Sequence, residues 1–278
     1  MSTLPAPTWW TDPRRIAAVR KWHRLWEEFS QETAQLFVRA LPPGARHVLD
    51  LASGTGEPAL SVARALGANG SVVLTDVAHE ILAITQDNAR AQQITNVAFD
   101  VAELPTIPFP DSAFDAVTCR FGIMFVPDAV AALRQCLRVL RRGGKAIFLV
   151  WHSAEQPFWA STVGQLRKYA AMPMDSPDLP SPFRFAGEGV LKQVFEQAGF
   201  AECREETVEV TLRWRGTAQT LREYFLEFAG FYRPHLDALS REQMEQLEHD
   251  IERAFSAYAK GNSVELTARV VLVLGIRP

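Results

Sequence analysis

The chain has 278 residues, 47% of them hydrophobic, enough for one large domain or two small ones around a substantial core. A formal net charge of −3 supplies no field that would draw it to nucleic acid or to an anionic membrane, which favours a small uncharged or amphipathic partner. Cys119, Cys136 and Cys203 are far apart and lack CxxC or Cys/His ligand spacing, so no metal site is expected and a reducing cytoplasm is the expected compartment.

The opening MSTLPAPTWW has no basic, apolar and small-residue succession, and the longest apolar run, 146–151, is far too short to span a bilayer, so neither secretion nor membrane insertion is expected. Residues 14–41 carry Val19, Trp22, His23, Trp26, Phe29, Thr33 and Leu36 at three-and-four spacing, which predicts an amphipathic helix in two pieces, stopped by Pro42, Pro43 and Gly44. From Arg46 the texture changes to short apolar runs at 47–51, 71–75, 97–99, 114–119 and 145–151. Helix-forming segments at 59–66, 79–92 and 129–140 separate them, the last expected to end on Gly143-Gly144 as a C-terminal cap.

Pro157, Pro173, Pro177, Pro180 and Pro182 then read as an irregular insertion with short helices. Regular pattern resumes with a helix at 188–198 closed by Gly199, a strand at 205–214, helices at 218–232 and 240–259, and a final strand at 264–276. The alternation predicts an α/β fold with a doubly wound, Rossmann-like sheet. The expected organisation is an N-terminal helical segment, 1–45, and a domain, 46–278, with lid insertions at about 152–186 and 215–262 that leave the sheet near its carboxyl edge.

The first local signal is Val48-Leu49-Asp50-Leu51-Ala52-Ser53-Gly54-Thr55-Gly56-Glu57-Pro58, a buried strand entering a glycine turn and then a helix. Side chains at Gly54 or Gly56 would hold the backbone away from a ligand lying across the turn. Gly54-x-Gly56-x-x-Ala59 also satisfies the looser dinucleotide fingerprint, which leaves a nicotinamide or flavin enzyme open at this point. Asp76 follows at the tip of the next apolar run, where one carboxylate can accept from both hydroxyls of a ribose, and either reading accommodates it. Asp100, with Val101 and Ala102, adds a second carboxylate at the third tip, which favours a nucleoside lying along successive strand ends.

The ordered set that continues through Asp100-Val101-Ala102-Glu103-Leu104-Pro105, Pro108-Phe109-Pro110-Asp111, Arg120-Phe121-Gly122-Ile123-Met124-Phe125-Val126-Pro127-Asp128, Arg138-Val139-Leu140-Arg141-Arg142-Gly143-Gly144-Lys145 and Ala198-Gly199-Phe200 resembles the ubiquinone/menaquinone C-methyltransferase-like family, or methyltransferase type 11. The likeness is dense over 46–151 and thins after Phe200. It implies a class I S-adenosylmethionine-dependent methyltransferase with a seven-stranded sheet whose last strand is antiparallel. It also implies that Asp50 helps hold the amino group, that Gly54 and Gly56 pass beneath the methionine part, that Asp76 binds the ribose hydroxyls, that Asp100 and Val101 meet the adenine, and that Arg120 and Phe121 border the methyl group, with Ala52, Val77 and Ala102 as further cofactor-binding candidates. Ser53, where the quinone enzymes commonly have glycine, and the long C-terminal region depart from the pattern, so the cofactor carries over and the quinone does not.

Trp22, Trp26, Trp151, Phe228 and Tyr232 are candidates for the wall of an acceptor pocket, with helix packing as their ordinary alternative. His152 and Arg120 are catalytic candidates; a loop histidine more often caps or is solvated, and Arg120 has Asp128 or Glu103 as possible structural partners. No tyrosine has lysine four residues on, which disfavours a short-chain oxidoreductase, and no Asn-Pro-Pro-Tyr-like element follows the fourth strand, which disfavours nucleic acid. A non-catalytic S-adenosylmethionine-binding module stays open. The expected partner is a small, apolar or aromatic methyl acceptor.

Overall fold

The structure, a computed structural model, describes residues 8–172 and 180–278. Pro173 and Pro177 of the expected insertion, and residues 1–7 of the expected N-terminal segment, lie outside the described residues.

Asp12 caps α1 (Pro13–Phe29) by accepting from the Arg14 N–H, Pro13 opens the first turn, and Ser30 separates it from α2 (Gln31–Ala40). The alternating part follows as β1 (His47–Leu51), α3 (Ala59–Leu66), β2 (Ser71–Asp76), α4 (His79–Ala91), β3 (Val97–Val101), β4 (Phe114–Arg120), α5 (Ala129–Val139) and β5 (Leu140–Trp151). Beyond it come α6 (Pro157–Ser161), α7 (Val163–Leu166), α8 (Val190–Ala198), β6 (Ala201–Trp214), α9 (Ala218–Phe228), α10 (Arg233–Asp237), α11 (Arg241–Ser256), the two-residue β7 (Ala259–Lys260) and β8 (Ser263–Ile276). No described helix is long and apolar enough to cross a membrane.

The sheet runs β3-β2-β1-β4-β5-β8-β6, with β7 paired to β8. The first five are parallel, and β8, the last strand of the chain, lies antiparallel between β5 and β6. From β1 the chain steps outward through β2 and β3, then returns to the other side of β1 with β4. The carboxyl ends of β1 and β4 therefore flank the switch point at which open α/β sheets take ligands. β5 stops at Trp151 opposite Val270, whereas β6 and β8 pair on to Trp214 and Val264, so this two-stranded ribbon overhangs β5 by six pairs, about 20 Å. Both insertions leave the sheet at this same edge.

One core joins the sheet to the N-terminal helices, since Trp22 and Phe29 of α1 and Leu36 and Phe37 of α2 belong to the cluster that holds Val48, Val117 and Ile147. Two expectations need correction. Gly143 and Gly144 do not cap α5, which ends at Val139 as the apolar, fully buried Leu140 goes straight into β5. They form an irregularity in which pairing skips from Phe114↔Leu140 to Ala116↔Lys145; Gly143 has φ +75°, and a Cβ on Gly144 would lie 2.8 Å from the Arg141 carbonyl. Nor does one helix run through 218–232: α9 stops at Phe228, a 3₁₀ turn covers Gly230–Tyr232, and Pro234 opens α10. The break lets Trp9 lie on Gly230, where a Cβ would come within 2.7 Å of the indole.

Candidate active site

β1 delivers the chain into its turn with Ala52, Gly54 and Gly56 at φ of 53°, 53° and 122°. Three neighbours hold that strained path: the Gly54 N–H donates to the Asp76 carboxylate at 3.0 Å, the Thr85 hydroxyl donates to the Gly54 carbonyl at 2.6 Å, and the Asn88 amide donates to the Thr55 carbonyl at 2.9 Å. A Cβ on Gly54 would meet nothing within 4 Å, so the backbone there is open to the cavity above it. Gly56 differs, because a Cβ would come within 2.6 Å of Leu60 Cδ1 and 3.1 Å of Thr85 Cγ2 inside the protein. Its glycine serves helix packing, not an approach from the cavity. Gly122 brings the tips of β1 and β4 together in the same way, since its Cβ would stand 2.6 Å from that of Ala52.

Above this floor lies a cavity of about 250 Å³. Of the expected cofactor residues, Ala52, Gly54, Asp76, Val77, Ala102, Arg120 and Phe121 border it, and Asp50, Gly56, Asp100 and Val101 do not. Asp50 is fully buried beneath the turn, and Asp100 and Val101 are exposed at the tip of β3, where Ala102, Glu103 and Leu104 make the wall instead. Trp22, Trp26, Trp151, Phe228 and Tyr232 all border the cavity. They interlock: Trp26 stacks on Tyr224 and Phe228, and Trp151 stacks on Phe121 at 4.2 Å. His152 does not reach the cavity; its N–H donates to the Arg269 carbonyl and its buried Nδ1 has no partner among the described residues.

α1 forms the roof, with Arg15, Val19, Trp22, His23 and Trp26 turned toward the cavity. It is tied to α9, because the Trp22 indole N–H donates to Glu227 at 2.8 Å. It is also tied to the sheet. Arg120 pairs with Glu27 at 3.2 Å and donates to the Ser30 hydroxyl at 2.7 Å, while the Thr55 hydroxyl donates to the other Glu27 oxygen. The partner of Arg120 is thus neither Asp128, which caps α5, nor Glu103. Burial pushes the Glu27 carboxyl up, and Arg120 opposes the shift. Both Arg15 and Glu27 escaped the sequence reading, although each sits four or eight residues from Val19, on the apolar face of α1, and a charge on that face is the signal.

Asp76 is raised by burial, and the backbone N–H groups of Ala78 and Gly54 act against that rise. Asp50 is pushed up to about 7 by burial; the Thr118 hydroxyl donates to one of its oxygens and the other has no hydrogen-bond partner among the described residues. Because that value exceeds the ordinary 3.8, the folded chain holds the proton more tightly than the unfolded one, and stability falls as pH rises from about 4 to about 7. Asp50→Asn should therefore raise the melting temperature of the cofactor-free protein at pH 8 and leave it nearly unchanged at pH 4. An equal difference at both pH values in scanning calorimetry would rule out a buried ionised carboxyl as its cause.

The profile of the ubiE/COQ5 methyltransferase family matches residues 17–176. A ubiquinone/menaquinone biosynthesis C-methyltransferase from Teredinibacter turnerae is 34% identical over 195 residues, 66% of this chain and 75% of that one. Among solved structures, the YcgJ protein of Bacillus subtilis superposes with a TM-score of 0.57 at 19% identity, over 89% of this chain and 98% of that one. The phosphoethanolamine N-methyltransferase 2 of Haemonchus contortus, in complex with S-adenosyl-L-methionine, gives 0.55 at 16% identity, over 95% and 60%. The chain belongs to the ubiE/COQ5 methyltransferase family and is an S-adenosylmethionine-dependent methyltransferase acting on a small molecule.

Proposed function

We propose that the cofactor lies along the tips of β1, β2 and β3 and that the chain transfers its methyl group to a small, apolar or aromatic acceptor held under α1. The carrying observation is the continuity of one cavity from a polar floor, Gly54 and Asp76, to a wall of Trp22, Trp26, Trp151, Phe228 and Tyr232. The floor suits the cofactor: Gly54 leaves space where a side chain would stand, and Asp76 offers a carboxylate to a ribose diol. The Teredinibacter turnerae relative is a C-methyltransferase of ubiquinone/menaquinone biosynthesis, and an aromatic ring of that general kind suits these walls.

When bound, S-adenosylmethionine supplies a methyl group on a positively charged sulfur, open to in-line attack. The aromatic wall orients the acceptor and excludes water from the reacting atoms, and orientation of this sort can supply most of the rate enhancement. Arg120, fixed by Glu27, Ser30 and Thr33, borders the cavity with its charge already matched. No protein base is required for an acceptor atom that arrives deprotonated. His152→Ala should accordingly leave the pH profile of turnover unaltered; a lost limb would make His152 a proton carrier.

Titration calorimetry tests the site. S-adenosylhomocysteine should bind and NAD should not, and Asp76→Asn should weaken S-adenosylhomocysteine by about 10- to 100-fold, the range for losing charge-assisted hydrogen bonds. Unchanged affinity would remove Asp76 from the ribose. Transfer of a labelled methyl group into an organic-extractable small molecule tests the acceptor class.

A further inference from the structure

Arg15 borders the cavity from α1 and is only 9% exposed. Its guanidinium carbon lies over three rings, 4.4 Å from the centroid of Trp10, 4.5 Å from Phe228 and 5.1 Å from Trp9. The rings stabilise the cation through its faces. They do nothing for its N–H edges, and Nε and Nη1 have no hydrogen-bond partner among the described residues. Asp76 attracts Arg15 at longer range and partly offsets its burial, but the two form no ion pair among the described residues, and the acids around them are committed elsewhere. Asp76 accepts from the backbone of Gly54 and Ala78, Glu227 takes Lys21 and Trp22, and the adjacent Arg14 takes Asp12 and Asp237. Among the described residues Arg15 forms no ion pair, whereas Arg120, the other arginine on the wall, pairs with Glu27.

A buried cation without an acidic partner is costly, and a planar fork with free edges matches the two oxygens of a carboxylate or a single ionised hydroxyl. Burial draws the Arg15 pKa down to about 10, so the charge persists at neutral pH. Trp9, Trp10 and Arg15 precede the stretch that the family profile matches, residues 17–176, and Phe228 follows it. The cage thus lies outside the stretch that the family profile matches.

We propose that Arg15 anchors the acceptor through an anionic oxygen, so that the enzyme methylates a planar acceptor carrying a carboxylate or an ionised hydroxyl; this rests on the acceptor reading given above. The cage of Trp9, Trp10 and Phe228 holds the guanidinium still, and its free N–H edges set where the ring of the acceptor can lie.

The probes are 2-naphthoate and 2-naphthamide, alike in shape and different in charge, titrated calorimetrically into the full chain saturated with S-adenosylhomocysteine. The parent should prefer naphthoate by about 10-fold or more, Arg15→Met should abolish the preference, and Arg15→Lys should retain part of it. S-adenosylhomocysteine affinity should stay within about 3-fold in both variants, which a cofactor-binding arginine would not allow. Equal binding of the two probes by the parent, or a preference that survives in Arg15→Met, overturns the proposal. So does a loss of S-adenosylhomocysteine binding in a folded Arg15→Met. If Arg15→Met does not fold, the parent and Arg15→Lys decide it. Titrating 2-naphthol from about pH 7 to about pH 9, where its ionised fraction grows while Arg15 keeps its charge, separates the two oxygen types: affinity that rises with pH assigns an ionised hydroxyl, and flat, weak binding beside tight naphthoate assigns a carboxylate. A chain that fails to bind S-adenosylhomocysteine refutes the site itself, whereas one that binds it without charge preference refutes only the role of Arg15.

Discussion

Glu27→Ala should cost about 3–5 kcal/mol of folding stability, the range for leaving one member of a buried ion pair alone. The side chains of Arg120 and Glu27 are 6% and 17% exposed, and no other acid is paired with Arg120 among the described residues. Removing the carboxylate also frees the Thr55 hydroxyl and the roof end of α1. Glu27→Leu combined with Arg120→Met should recover most of the loss, since apolar groups of similar size can replace a buried pair at little cost. Chemical denaturation of Glu27→Leu, Arg120→Met and the double variant measures this as a cycle. Additive losses would mean that Glu27 and Arg120 act separately and that α1 is held by its packing alone.

Gly54→Val should abolish measurable S-adenosylhomocysteine binding, a loss of at least about 100-fold, because a β-branched residue at positive φ strains the turn and projects into the cavity. Gly54→Ala separates the effects: with nothing within 4 Å of the new Cβ the chain should fold with a penalty of about 1 kcal/mol and still bind poorly. Gly56→Ala should do the reverse. Its Cβ would press on Leu60 and Thr85, so stability falls first and affinity only as the turn shifts. Equal impairment of binding and of stability in both alanine variants would contradict this division between an open Gly54 and a packed Gly56.

The alternation of apolar runs with helices was readable because parallel strands buried on both faces leave little room for polar residues, and β1 and α3 keep the limits that their composition predicts. Gly143-Gly144 misled because a helix cap and a strand irregularity both demand glycine, and only the pairing of Phe114 with Leu140 distinguishes them. Gly56 misled for a similar reason, since spacing records that a side chain is excluded and not on which side the obstacle lies. Arg120 meets Glu27 across 93 positions of sequence, a distance no local pattern encodes. Arg15 and Glu27 were legible in principle as charges on the apolar face of α1, yet an interrupted stripe is ordinarily read as tolerance.

The overhang of β6 and β8 beyond β5 separates two parts of the cavity by their parentage. The polar floor comes from the turns after β1, β2 and β4, and Trp22, Trp26 and Trp151 of the wall also lie inside residues 17–176, whereas Tyr224, Phe228 and Tyr232 of the wall, with Trp214 of the ribbon packed behind Tyr224, come from later in the chain. Substitution in the later part can reshape what is methylated and leave the source of the methyl group untouched. Divergence of selectivity within such a lineage is therefore expected to concentrate on the ribbon and its helices, with the glycine turn as the slowest part to change.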